Sequence, residues 1–299
     1  MTEAACTQAI ALLTRRTLEL AEVTQQLTSS GFVCHQAAGT APDGSPQLQI
    51  RGTFQGNGDE IVVDVLADRW PETLLTPAAW GPCTTSDSLR RAVQHCPGWE
   101  EAAQKVEQHQ GIVLLRFFEG ATLPQTRDER VLRFLALLKL TLALSALPEV
   151  SVYFCPGGEV LLPLEFVGDV LHTSQMVGMP PFDLLANLRL SWLDERWIIF
   201  ETIGNQQIDL PDLEVYADSQ GKDLNEIASW LRRWSWQHFQ PGTALPNGTV
   251  VEGPGGMKFQ VVLADDSLLP PRRSVVRLIC QDATAMPEGL PARLRIDHA

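Results

Sequence analysis

The stretch Val131–Leu147, VLRFLALLKLTLALSAL, constrains this chain more than any other, because only Arg133 and Lys139 interrupt its apolar character. Thr126-Arg127-Asp128-Glu129 ahead of it places an N-cap hydroxyl with a carboxylate at N3, the signature of a capping box, and Pro148 ends the pattern. Wound at about 100° per residue, Arg127, Arg130, Arg133, Thr141 and Ser145 fall on one narrow side, which Phe134 and Leu137 share. A helix apolar nearly all round belongs in a large core or in a membrane. This run is at the lower edge of the roughly 17–25 residues a bilayer span requires and holds two cations, so the expectation is a buried central helix near residues 127–147 and no membrane segment.

With 44% hydrophobic residues over 299 positions, the chain can fill a proper core without disulfide staples. Its 36 acidic residues against 23 basic give a net charge of −13, which argues against non-specific nucleic-acid binding, since that needs a cationic surface. The same charge suits a basic protein partner, although simple solubility is the plainer reading. Cys6, Cys34, Cys83, Cys96, Cys155 and Cys280 lack the regular spacing of a disulfide framework and read as reduced thiols. The opening MTEAACTQAI shows no secretory pattern, so the expected location is cytoplasmic. No cofactor is predicted, and nothing in the sequence speaks to oligomeric state.

Taken in order, the chain opens as strand, helix and three strands: AIALLT from Ala9, a helical pattern from Leu18 to Leu27 closed by Gly31, then Phe32 to Gln36, QLQIRGTF from Gln47 and EIVVDVL from Glu60. Turns are expected at Pro42-Asp43-Gly44 and Gly56-Asn57-Gly58. An irregular stretch holding Trp80 leads to two short helices, around Ser88–Val93 and Trp99–His109. The continuous apolar run GIVLLRFF from Gly111 has the character of a strand buried on both faces. Past the central helix, VSVYFC and Val160–Leu164 flank a Pro156-Gly157-Gly158 turn. Residues 168–181 are rich in Gly and Pro and read as a connecting segment between an N-terminal half, 1–167, and a C-terminal half, 182–299. The latter holds a hairpin (NLRLSWL and WIIFETI), the strand LEVYA, a helix from Asp223 to about Phe239, and strands at 249–252, 257–263 and 274–280. The fold class expected is α+β, mostly antiparallel sheets with packed helices, in two intimately associated halves that could form one domain.

The ordered series LADRWPETL, AAWGP, LRRAVQH, HQGIVLLRF, ANLRLSWL, FETIGNQQIDLPDLEVY and LPNGTVVEG, from Leu66 to Gly253, resembles the bacterial family known as domain of unknown function 4261. The likeness spans most of the chain and rests on the order of the phrases. It implies a shared fold and a bacterial setting, and no chemistry, because that family brings no catalytic residues with it.

Three constellations could carry chemistry. Cys83, His95, Cys96 and His109 offer thiolate and imidazole ligands for zinc, but without the C-x₂-C or H-x₃-H spacing of a built site; buried cysteines and ordinary histidines are the simpler account. Glu201, Asp209, Asp212 and Glu214 gather around the Gly204 loop and could hold a metal or act as acid and base. A solvated rim is the favoured alternative, with Glu201 either turned outward or matched to a buried partner. Trp230, Trp234 and Trp236 form an aromatic set on the last helix; core packing is the default, and an exposed Trp236 beside Arg232 and Arg233 could anchor a partner. The chain has no G-x-S-x-G elbow, and Gly253, Gly255 and Gly256 lack the ending of a phosphate loop. The reading that follows is a non-catalytic binding or interaction protein, with an immunity-type inhibitor as a specific case. The alternative is an enzyme such as a metal-assisted hydrolase that uses the Cys/His set or the carboxylates.

Overall fold

The computed structural model describes residues 8–40, 46–51, 60–67, 69–70, 87–96, 98–117, 126–220, 222–238 and 245–281. The two expected turns at 42–44 and 56–58, Trp80, Cys83 and the tail from Asp282 lie outside the described residues. The fold is α+β, and its residues divide into two compact units, Met1–Ala186 with Gln207–Asp209, and Asn187–Gln206 with Leu210–Ala299. Residues 168–181 sit within the first unit, and the division of the chain falls after Ala186.

The first unit is built on a seven-stranded sheet of order β2-β3-β4-β5-β1-β6-β7. Its strands are β1 (Ala9–Thr14), β2 (Cys34–Thr40), β3 (Pro46–Arg51), β4 (Glu60–Leu66), β5 (Gly111–Phe117), β6 (Val150–Cys155) and β7 (Val160–Pro163). All pairings are antiparallel. The run from Gly111 occupies the middle of the sheet, as its unbroken apolar character predicts. Alternation along β1 sends Ala9, Ala11 and Leu13 to one face and Ile10 and Leu12 to the other, and all are buried. The first face packs against α2 (Ser88–Gln94) and α3 (Ala102–Gln108) through Leu89, Ala92 and Ala102. The second is covered by α1 (Leu20–Ser29) and α4 (Arg127–Leu144).

Helix α4 is the central helix of the sequence. Its capping box forms as the residue types demand: the Glu129 amide donates to Thr126 Oγ1 at 3.2 Å, and the Thr126 amide donates to Glu129 Oε2 at 3.2 Å. Phe134, Leu137, Leu138, Thr141 and Leu144 make a fully buried stripe at helical spacing. The expected polar side is corrected at Thr141, which is buried because its hydroxyl donates to the Leu137 carbonyl at 3.0 Å and so needs no water. Lys139 and Leu142 are exposed, so burial is one-sided. Helix α5 (Val167–Met176) follows, anchored by buried Val167 and Leu171, and then the single turn α6 (Phe182–Leu185).

The β6–β7 turn is closely packed. A Cβ built on Gly158 would stand 1.9 Å from the Leu185 carbonyl oxygen, so no side chain fits there. The same carbonyl accepts from the Gln207 amide at 2.6 Å, and Tyr153 donates to the Leu184 carbonyl at 2.7 Å. Glu159 is fully buried in a left-handed conformation, with φ at 51°, and its carboxylate receives the Arg91 guanidinium.

The second unit holds a six-stranded sheet of order β11-β12-β13-β10-β9-β8, antiparallel except where β10 and β13 run parallel. Its strands are β8 (Asn187–Trp192), β9 (Trp197–Ile203), β10 (Asp212–Asp218), β11 (Val250–Glu252), β12 (Lys258–Ala264) and β13 (Val275–Cys280). Helix α7 (Leu224–His238) lies on one face, with Ile227, Leu231 and Trp234 buried and the Trp230 ring stacked on Phe259 at 5.2 Å. The other face carries Trp197, Ile199, Tyr216 and Ile279 and is covered by Leu268 and Leu269 of the segment between β12 and β13.

Candidate functional site

Strand register in the second sheet assembles the carboxylate cluster. Register brings Arg189 of β8 opposite Glu201 of β9, Glu201 opposite Glu214 of β10, and Glu214 beside Arg277 of β13. These four side chains therefore form one row across four strands on a single face, and Asp212 shares that face because it precedes Glu214 by two. Arg273 enters just ahead of β13 and bridges the row, donating from Nε to Asp212 Oδ2 at 3.0 Å and from Nη2 to Glu201 Oε2 at 3.0 Å. Arg189 holds Glu201 Oε1 at 2.5 Å, and Arg277 Nε holds Glu214 Oε2 at 2.9 Å.

The remaining valences are filled from nearby. Glu214 accepts from the Tyr216 hydroxyl at 3.0 Å and the Leu268 amide at 2.8 Å; Asp212 accepts from the Asn205 amide at 3.0 Å. Arg189 and Arg273 also donate to the carbonyls of Pro270 and Pro271, which ties the covering segment to the sheet. Three cations thus face three anions, each buried. Burial pushes the Asp212 carboxyl up, against the opposing pull of Arg273 and of the Asn205 and Gly204 amides. Burial and the adjacent Glu214 carboxylate likewise push the Tyr216 phenol up, which keeps its proton available for the bond to Glu214.

The expectation of a solvated rim is overturned for Glu201, Asp212 and Glu214. Each takes an arginine from a strand, or a strand approach, distant in sequence, and pairing of that kind is the condition under which carboxylates are buried. Of the two options for Glu201, the buried partner is the one realised, and it has two. Asp209 belongs to the first unit, is exposed in a left-handed conformation with φ at 58°, and its backbone carbonyl accepts from Arg127 at 3.2 Å.

The described members of the cysteine and histidine set, His95, Cys96 and His109, are similarly occupied. His109 is buried, accepts the Trp70 amide on Nε2 at 2.8 Å and bonds the Val106 carbonyl through Nδ1, which fixes a neutral ring with the proton on Nδ1. Cys96 donates to the Leu161 carbonyl at 3.1 Å, and burial pushes its thiol up, away from the thiolate that a metal or a nucleophilic role requires. His95 is half-buried past the end of α2 and engaged with neighbours. No three His, Cys, Asp or Glu side chains converge as metal ligands among the described residues. Trp234 is buried on α7, while Trp236 is half-buried and engaged.

A different surface is available. On β8, Leu190 and Trp192 point to the same face and are 36% and 56% exposed, the latter an unusual state for so large an apolar side chain. Immediately beyond stand Asp194 and Glu195, both exposed; Asp194 receives the amides of Arg196 and Trp197 at 2.8 and 2.6 Å, fixing the turn. Arg196, the cation of that turn, is held by Asp218, so the tip keeps an acidic character. The signal for this surface is present in the sequence as NLRLSWL followed by DE, where an aromatic and a leucine alternate close to two acids.

No protein-family model, no curated protein and no solved structure matches this chain.

Proposed function

We propose that this protein is a non-catalytic binding protein for a basic protein partner, of which an immunity-type inhibitor of a basic toxin is the specific case. The observation that carries it is the solvent-facing Leu190 and Trp192 pair beside the acidic Asp194–Glu195 tip. Tryptophan supplies a large rigid contact, and an acidic margin steers a cationic partner and rejects anionic ones. A net charge of −13 works in the same direction at longer range. Support also comes from the commitments inside the molecule: each carboxylate oxygen of Glu201, Asp212 and Glu214 and each ring nitrogen of His109 already has a protein partner. A cytoplasmic and bacterial setting belongs to the same proposal, drawn from the scattered cysteines, which lack the spacing of a disulfide framework, and from the likeness to the uncharacterised family.

The test is affinity capture from the native host with the tagged full chain at low and at high salt, followed by titration calorimetry with the purified partner. A basic protein that binds stoichiometrically, more weakly as salt rises and at least about tenfold more weakly to Trp192→Ala, is the expected result. Failure to retain any partner at any salt concentration overturns the proposal. Stoichiometric metal in protein purified without chelator would instead favour the metal-assisted hydrolase.

A further inference from the structure

Four strands lie at sheet edges among the described residues, and three of them are blunted. Strand β2 loses its regular register between Gln36 and Thr40, β7 spans four residues and ends in Pro163, and β11 spans only three. Irregularity, proline and shortness are the usual devices that keep an edge from pairing with a foreign strand. Strand β8 has none of them. It pairs with β9 without a break from Asn187 opposite Ile203 to Trp192 opposite Ile198, and it contains neither proline nor lysine. Its one charge, Arg189, is neutralised by Glu201 and by the Pro270 carbonyl, so it presents no obstacle to an approaching chain.

The direction of the free backbone groups follows from the hairpin. The Leu193 amide donates to the Trp197 carbonyl at 2.8 Å, so this pair is hydrogen-bonded; the alternation of antiparallel ladders then makes Ser191 with Ile199 and Arg189 with Glu201 hydrogen-bonded too. The amides and carbonyls of Leu188, Leu190 and Trp192 therefore point away from β9. None of them takes part in a backbone bond outside the ladder among the described residues.

We infer that β8 is a strand-addition site, on which an extended, cationic segment of the partner pairs with Leu188, Leu190 and Trp192 and extends the second sheet. This rests on the basic-partner reading and specifies its mode. Main-chain bonds to the three outward residues supply affinity. Alternate apolar side chains of the incoming strand lie beside Leu190 and Trp192, and a cation at its end meets Glu195. Charge selects this occupant over a second copy of the chain, because two copies each carry −13 and the one cation of the tip is already held by Asp218.

The probe is a short fluorescent peptide of alternating valine and arginine, with alternating valine and glutamate as its control. Fluorescence anisotropy should show binding of the cationic peptide alone. Leu190→Pro removes one outward amide and leaves the ladder to β9 its donors, as proline tolerates at an edge. It should weaken binding by about tenfold or more, the loss expected for a main-chain bond and its neighbours, with the thermal midpoint nearly unchanged. Independently of any variant, hydrogen exchange of the Leu190 and Trp192 amides should slow when peptide is added to the wild-type chain, whereas that of Ser191 should not change. Binding without that protection, or equal binding by a folded Leu190→Pro, overturns strand addition while leaving a basic partner in place. So does absence of peptide binding, or sedimentation as a dimer that Leu190→Pro converts to a monomer, which assigns the edge to a second copy. A captured basic partner that fails to compete with bound peptide has the same consequence.

Discussion

The two sheets solve the same problem with opposite materials. In the first unit both faces are apolar and each is covered by a pair of helices, with ion pairs such as Asp64 to Arg116 as isolated insertions. In the second, one face takes helix α7, and the other buries a row of alternating charges beneath a short irregular segment. Packed hydrocarbon stabilises roughly in proportion to its area and tolerates repacking. Buried ions contribute little net stability when paired and cost several kcal/mol each when a partner is removed. The first sheet should therefore fail when polarity is introduced, and the second when charge balance is broken.

Leu138→Asp tests the first half of that contrast and should have the largest effect. Leu138 is fully buried on α4, and a carboxylate there would lose its hydration. The penalty of several kcal/mol takes most of the roughly 5–15 kcal/mol that holds a domain folded. Loss of soluble protein, or of near-ultraviolet circular dichroism, is expected. Wild-type spectra would remove α4 from the core.

Arg273→Met tests the second half. Glu201 and Asp212 would be left buried with a cation missing, at a cost of about 3–5 kcal/mol measurable by urea unfolding. Without the opposing pull of Arg273 the Asp212 carboxyl would be pushed further above its ordinary range, and a raised carboxyl destabilises only where it is ionised. The variant should accordingly recover part of its stability as the solution is acidified. Replacing Arg273, Glu201 and Asp212 together with apolar residues of similar volume should cost far less than Arg273→Met alone. Equal losses would mean that the network stabilises outright.

How much of this was legible in the sequence depended on whether the determinant was local. The central helix, its Thr126 and Glu129 box, the buried strand from Gly111 and the β8–β9 hairpin all announce themselves through spacing within a few residues. The burial of Glu201, Asp212 and Glu214 does not, since Arg273 and Arg277 lie up to 72 residues away in sequence and meet them only through the order of the sheet. Alternation in WIIFETI placed Glu201 on one face and could not say what that face meets. Helix α5 was masked by its glycine and by weak periodicity, and it is fixed by Val167 and Leu171 against the rest of its unit. The exposure of Trp192 is not legible locally either, because exposure of a strand side chain depends on what covers the sheet.

A pH experiment sharpens the contrast from the alkaline side. Cys155 is fully buried on β6, and burial pushes its thiol up to about 11 from an ordinary value of 9.0. The folded state keeps the proton while the unfolded thiol ionises, so this contribution is complete below pH 9 and declines as pH rises toward 11. The change is roughly 3 kcal/mol at most, at about 1.4 kcal/mol per unit. Burial also raises the Tyr153 phenol well above its ordinary value, with the same sign. Cys155→Ala should flatten the decline of the urea midpoint between pH 9 and 11 and leave the remainder due to the other raised groups, Tyr153, Tyr216 and Cys96 among them.

The smallest effect belongs to the exposed charges, where the two units should not differ at all. The Arg16 guanidinium, then the Glu19 amide at 2.8 Å, holds the Glu22 carboxyl down to about 2 from 4.5. A lowered carboxyl stabilises above its unfolded value, so this contribution is present above pH 4.5 and is lost as pH falls toward 2. Glu22 is open to solvent, where screening and side-chain entropy consume most of the Coulomb gain. Glu22→Gln should therefore leave the global midpoint in place and only speed amide exchange in the first turn of α1 at neutral pH, a difference that added salt diminishes. A large global loss from Glu22→Gln would show that the capping of α1, rather than the apolar faces of the sheet, limits the stability of the first unit.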